Sequence, residues 1–159
     1  MSIFNKHRPV PAIEDVIREK LKGETQANAL DFVAFLRSNR IALNSDGDGG
    51  KWSGWAVGGT VGNSAGYMIV NGAKEFPGPW TFWFNSCDFE DNADDELKET
   101  AWAHASPCGK CNAGWEDCGG GEGTIFGKKF ERLCHSPMMF VNPDAKTLEY
   151  AKKLMLMLK

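Results

Sequence analysis

The chain has 159 residues, of which 42% are hydrophobic and 25% are charged, and its formal net charge is −3. This length and composition predict one globular domain with one core. They exclude collagen-like, coiled-coil and wholly disordered classes. A pI near 5.6 and the lack of any Lys or Arg run disfavour a nucleic-acid-binding protein.

Nothing in the sequence predicts a membrane or secreted protein. No stretch approaches the roughly 18 apolar residues that span a bilayer, and residues 1–9 lack the apolar segment of a secretory signal. We therefore expect a cytoplasmic protein with no membrane partner. Because thiols stay reduced in the cytoplasm, a cysteine cluster there favours metal binding over disulfides.

The N-terminal part has the periodicity of helices. Apolar residues recur at helical spacing near its start: Ile13, Val16, Ile17 and Leu21. They predict a first helix that stops at Gly23. A second helix is predicted over 25–40, and its broad apolar face indicates substantial burial. The polar, glycine-rich residues 44–50 then predict a turn.

The middle of the chain has the pattern of β-strands. Three short runs rich in aromatic and branched residues, at 51–58, 66–71 and 80–84, are separated by glycine and proline. In the last run Trp80, Phe82 and Phe84 share one face, while Thr81 and Trp83 share the other. Large aromatic residues on both faces predict that both sides of this strand are covered.

The C-terminal part is predicted to contain both helices and strands. A third helix is predicted from about Asn92, and a glycine- and cysteine-rich segment follows at 107–123. Short strands are predicted at 124–126, 130–134 and 138–141. A last helix is predicted to open with Asn142 as its N-cap and Pro143 at its first helical position.

These elements predict an α+β fold. A small, mostly antiparallel sheet is packed by N- and C-terminal helices and carries a metal-stapled Cys-rich loop. Residues 1–159 form a single domain, with a helical part at 10–42, the sheet at 50–90, and the Cys-rich loop and C-terminal helix at 92–159.

Four of the five cysteines have the spacing of a metal site: Cys108, Cys111, Cys118 and Cys134. The Cys-x-x-Cys pair lets two thiolates converge on one ion, and a tetrahedral structural zinc needs four such ligands. We therefore predict that these four cysteines bind a structural Zn²⁺. His104, His135 or Cys87 could replace one of them. An iron–sulfur cluster, a redox dithiol at Cys108 and Cys111, and thiols without a metal are the alternatives.

Six tryptophans are many for this length, and core packing explains most of them. The remaining interpretation is a pocket lined by aromatic faces, between the sheet and the second helix, with Glu75 or Glu90 as counter-ion. The tryptophans predicted to bind ligand there are Trp52, Trp55, Trp80 and Trp83.

The C-terminal part also carries a resemblance. Its pattern runs from Asp94-Asp95-Glu96 through Cys108-Gly-Lys-Cys111 and Cys134 to Asn142-Pro143-Asp144 and Thr147-Leu148-Glu149. This pattern is similar to that of small bacterial cysteine-rich proteins of unknown function. The resemblance implies a bacterial protein with a metal site. It implies no activity and no catalytic residue.

The combined expectation is a zinc-stabilised intracellular binding module. Its aromatic-lined site would take a small molecule or a protein partner. The alternative is an enzyme, either thiol-redox or metal-dependent, that uses Cys108 and Cys111. A nucleic-acid-binding zinc module would need a local basic patch, for which Lys128, Lys129 and Arg132 are the candidates.

Overall fold

The structure is a computed structural model that describes residues 10–46, 53–60, 62–70, 78–108 and 120–159. Within these ranges the chain forms four helices and seven strands. In chain order they are α1 (Ile13–Lys20), α2 (Gly23–Ser38), β1 (Leu43–Ser45), β2 (Ser53–Val57), β3 (Gly66–Val70), β4 (Trp80–Phe84), α3 (Asp95–Ala103), β5 (Ala105–Pro107), β6 (Gly121–Ile125), β7 (Lys128–Val141) and α4 (Ala145–Met157).

The seven strands form one antiparallel sheet. The strand order is β1-β2-β3-β4-β7-β5, and β6 pairs with β7 in addition. The 14-residue strand β7 joins two parts of the sheet, because β4 pairs with its C-terminal part and β6 with its N-terminal part. The α+β class and the antiparallel sheet are therefore confirmed. The metal-stapled part of the Cys-rich loop, residues 109–119, lies outside the described residues.

The core lies between the helices and one face of the sheet. Trp80, Phe82 and Phe84 all point into it from β4. The ring of Phe32 on α2 lies 4.8 Å from the ring of Phe82 and 6.0 Å from that of Trp80, measured between centroids. This large apolar area, removed from water, holds α2 against the sheet.

Two short strands escaped prediction. β1 begins just before the stretch that was predicted as a turn, and β5 ends in a proline. A strand of three residues is too short to show a periodic pattern. Pairing with a neighbouring strand stabilises both β1 and β5 instead. Two of the predicted C-terminal strands are parts of the continuous strand β7. Pro137 is accommodated in it because the register against β5 shifts at that point.

The predicted starts of the last two helices were wrong. Asp144, not Asn142, caps α4, and its carboxylate accepts a hydrogen bond from the N–H of Thr147 at 2.7 Å. Asn142 belongs to the preceding turn, where it has a φ of 41°. The third helix begins at Asp95 because Asp94 caps it. No helix in the described ranges is long and apolar enough to cross a bilayer.

Candidate functional site

Two of the four predicted zinc ligands lie close together, because Cys108 directly follows β5 and Cys134 is on β7, with which β5 pairs. Pro107 of β5 pairs with Leu133 of β7, and the N–H of Cys108 donates to the carbonyl oxygen of Arg132 at 2.8 Å. Cys108 therefore stands opposite Arg132, and Cys134 is two residues further along β7. Such diagonal neighbours on an antiparallel pair have Cα atoms about 7–8 Å apart. Both thiols are half-buried. Cys111 and Cys118 lie outside the described residues.

Gly120, at the other end of the stretch 109–119, packs against Cys108 and Leu133. A Cβ atom built on it would lie 3.2 Å from the Sγ of Cys108 and 2.6 Å from the carbonyl oxygen of Leu133. Its φ of 65° is one that glycine adopts readily and other residues rarely do. The two residues that flank the stretch 109–119 thus meet over β7, one residue before Cys134.

The histidines considered as replacement ligands have different surroundings. The ring of His104 stacks on that of Phe140 at 4.3 Å, and its Nδ1 lies 2.9 Å from the carbonyl oxygen of Thr100. His104 therefore takes part in packing at the end of α3. His135 is exposed beside Cys134. Among the residues that the structure describes, no three His, Cys, Asp or Glu side chains form a group able to hold a metal ion.

Cys87 and Cys134 line the same cleft, which has a volume of about 380 Å³. The thiol of Cys87 donates to the carbonyl oxygen of Thr124 at 3.7 Å. Burial raises the pKa of this thiol, so it stays protonated at neutral pH and is a poor nucleophile. The end of the sheet therefore brings Cys87 near the predicted metal residues without making it a reactive cysteine.

The structure does not bring the predicted ligand-binding tryptophans together. Trp55 is 5% exposed and Trp80 is 1% exposed, and both belong to the core. Trp83 lies on the opposite face of the sheet, where its ring stacks on that of Tyr67 at 5.1 Å. Trp52 lies outside the described residues. At Trp80, the space between sheet and second helix that was predicted to be a pocket is filled by Phe32.

Trp55 nevertheless borders a pocket at the edge of the sheet. Its volume is about 250 Å³, and its walls come from β1, β2, α2 and the start of α1. Leu43 and Ile13 supply apolar surface beside the indole. Pockets for drug-sized molecules measure roughly 300–1,000 Å³, so this one suits a single large side chain or a molecule of that size.

Arg37, which lines this pocket, is held in an ion pair. The guanidinium of Arg37 donates two hydrogen bonds to the carboxylate of Glu14, of which the Nη2–Oε2 bond measures 3.0 Å. The bond from Arg37 holds the pKa of Glu14 below its usual range. Glu14 thus offsets the charge that Arg37 brings to the pocket. No motif in the sequence signalled this pair, because its two residues are 23 positions apart. Of the predicted counter-ions, Glu75 lies outside the described residues, and the N–H of Glu90 pairs with Met157 near the C-terminus.

Comparisons of the chain with protein-family models, with curated proteins and with solved structures give no match.

Proposed function

We propose that the chain is a zinc-stabilised binding protein. Cys108, Cys111, Cys118 and Cys134 hold one Zn²⁺, and the pocket beside Trp55 takes the ligand. One observation carries the zinc site: Cys108 and Gly120 meet beside Leu133, immediately before Cys134.

The short chain connections limit how far Cys111 and Cys118 can lie from Cys108 and Gly120. Cys118 is two residues before Gly120, and Cys111 is three residues after Cys108. An extended chain spans at most about 3.6 Å per residue, which puts upper limits of about 7 Å and about 11 Å on those two separations. All four thiols can therefore reach one ion at the Zn–S distance of about 2.3 Å.

The donor set determines the role of this metal. Four thiolates fill a tetrahedral shell and leave no position for water or substrate, which is the composition of a structural site. The Zn²⁺ would join the stretch 109–119 to β7, and its loss would release that stretch. Hydrolytic chemistry at the metal would need an open position, which this closed shell does not offer.

Metal content and cysteine variants test the proposal together. Native mass spectrometry and elemental analysis of protein made without added metal should give one zinc per chain. Cys108→Ser and Cys134→Ser should lose it, while the matched control Cys87→Ser should keep it. Retention of zinc by Cys118→Ser with loss in Cys87→Ser would instead make Cys87 the fourth ligand.

Three results would contradict the zinc site. Iron with visible absorbance would indicate an iron–sulfur cluster. Five thiols that react rapidly with an alkylating agent, in protein without metal, would remove the site altogether. Fast alkylation confined to Cys108 and Cys111, with reversible cycling by a mild oxidant, would favour the thiol-redox enzyme.

A further inference from the structure

At the outer edge of β1, the backbone of Leu43 is turned away from the sheet. β1 pairs with β2 in a register that matches Leu43 with Val57 and Asn44 with Ala56. The N–H of Gly58 donates to Ala42 at 2.8 Å, and the N–H of Asp46 donates to Gly54 at 2.9 Å. Alternation along an antiparallel pair then directs the N–H and C=O of Leu43 away from β2.

These two groups of Leu43 have no hydrogen-bond partner among the described residues. An edge strand with an unpaired donor and acceptor is a template for another extended backbone. The chemistry that complements it is one C=O and one N–H on a residue in β conformation.

The Trp55 pocket lies directly beside this edge. Leu43 belongs both to the edge and to the pocket wall, together with Ser45. Alternate side chains of an added strand point to the same face of a sheet, so one of them would enter the pocket. Ile13, Leu43 and Trp55 give the pocket one apolar side, and Glu14 offsets the charge of Arg37, so an apolar side chain can pack against the indole.

We infer that the ligand is an extended peptide segment of a partner protein, which adds as a strand to the outer edge of β1 and places one apolar side chain in the Trp55 pocket. This inference rests on the pocket of the proposed function and is independent of the zinc site. Main-chain hydrogen bonds to Leu43 supply affinity, and the pocket supplies selectivity. The volume of about 250 Å³ accommodates one side chain rather than a folded surface.

The test uses a phage library of random linear heptapeptides, selected on the full-length protein. Leu43→Pro removes the outward N–H, and an edge strand tolerates proline at such a position. Leu43→Ala is the matched control, since it shortens the same side chain and keeps the N–H. Selected peptides should share one apolar position. They should bind Leu43→Pro about tenfold more weakly, or worse, than Leu43→Ala.

N-methylation of the selected peptides provides a second measurement, which does not depend on how the variants fold. A methyl group on the amide that donates to Leu43 should abolish binding, while methyl groups on amides that point away from β1 should not. No enrichment of any peptide, or equal loss from both methylation patterns, overturns the inference. A concentration-dependent dimer that Leu43→Pro abolishes would overturn it in favour of a second copy of this chain.

Zinc content, measured on the same preparations, separates the two proposals. Peptide binding without zinc would contradict the metal site alone. Zinc without peptide binding would contradict the inferred ligand alone.

Discussion

The backbone of Gly120 packs directly against the side chain of Cys108, which leaves no room for a Cβ atom between them. Gly120→Ala should therefore push apart the two residues that flank the stretch 109–119. The left-handed φ alone makes alanine unfavourable there by about 1–2 kcal/mol. We expect a lower free energy of unfolding in urea and weaker zinc retention against a chelator, although no metal ligand has changed.

Gly121 is the matched control. A Cβ atom on it would meet nothing within 4 Å. Gly121→Ala should therefore keep nearly wild-type stability and zinc retention. Equal losses in both variants would show that the packing at Gly120 has no particular role in the metal site.

The helices and central strands were predictable because their apolar side chains are periodic. Ile13, Val16 and Ile17 face the core from α1, and on β4 the core-facing Trp80 and Phe82 alternate with residues on the opposite face. Each pattern arises because one face of the element is buried, so the spacing of apolar residues along the sequence predicts the element. The strands β1 and β5 have no such pattern, since pairing with distant residues stabilises them.

The candidate site was less predictable, because contacts between residues that are distant in the sequence form it. Cysteine spacing predicted that Cys108 and Cys134 share a metal site, and the pairing of β5 with β7 brings the two residues close. The tryptophans share only composition, and the pleat of the sheet separates Trp83 from Trp55 and Trp80. The pair Glu14–Arg37 and the open edge at Leu43 arise from tertiary packing, which no local pattern encodes.

The indole N–H of Trp80 is buried and has no hydrogen-bond partner in the described structure. A buried, unsatisfied donor costs about 1–3 kcal/mol, so Trp80→Phe removes that cost while it opens a small cavity. We expect the two effects to offset each other to within about 1 kcal/mol in urea unfolding. Trp80→Ala should cost about 3–5 kcal/mol, because it removes the whole ring. A similar large loss for both variants would contradict the role given to the N–H.

The ion pair between Glu14 and Arg37 should make the stability of the protein fall at acid pH. The hydrogen bond from Arg37, above all, lowers the pKa of Glu14 below its usual value of 4.5. The stabilisation is therefore present above that value and is lost as pH falls through the lowered pKa. Because both side chains are partly exposed and water screens the pair, we expect a contribution of about 0.2–1 kcal/mol.

Glu14→Gln measures this contribution. Its free energy of unfolding should lie below that of the wild type at neutral pH, and the difference should vanish near about pH 2, where carboxylates are protonated. Glu19→Gln, on the same helix, is the control, since Glu19 pairs with the neighbouring Lys20 instead. A difference that persists unchanged into acid would exclude the ion pair as its source.

Tyr67 should make stability depend on alkaline pH. Its ring lies over Gly54, where a Cβ atom would be 2.5 Å from its hydroxyl oxygen, and the hydroxyl donates to the carboxylate of Asp46. Burial first, and the bond to Asp46 second, raise the pKa of Tyr67 above its usual value. The folded state therefore holds this proton more tightly than the unfolded state does. The stabilisation is full below about pH 10, the unfolded value, and is lost as pH rises above it.

Tyr67→Phe isolates this effect. The variant lacks the hydroxyl, so its stability should fall less steeply above about pH 10 than that of the wild type. Tyr150 is present in both proteins, so its own raised pKa cancels in the comparison. Urea unfolding on either side of that pH gives the two slopes. Parallel slopes would mean that the hydroxyl of Tyr67 titrates equally in both states, and that its bond to Asp46 does not persist in solution.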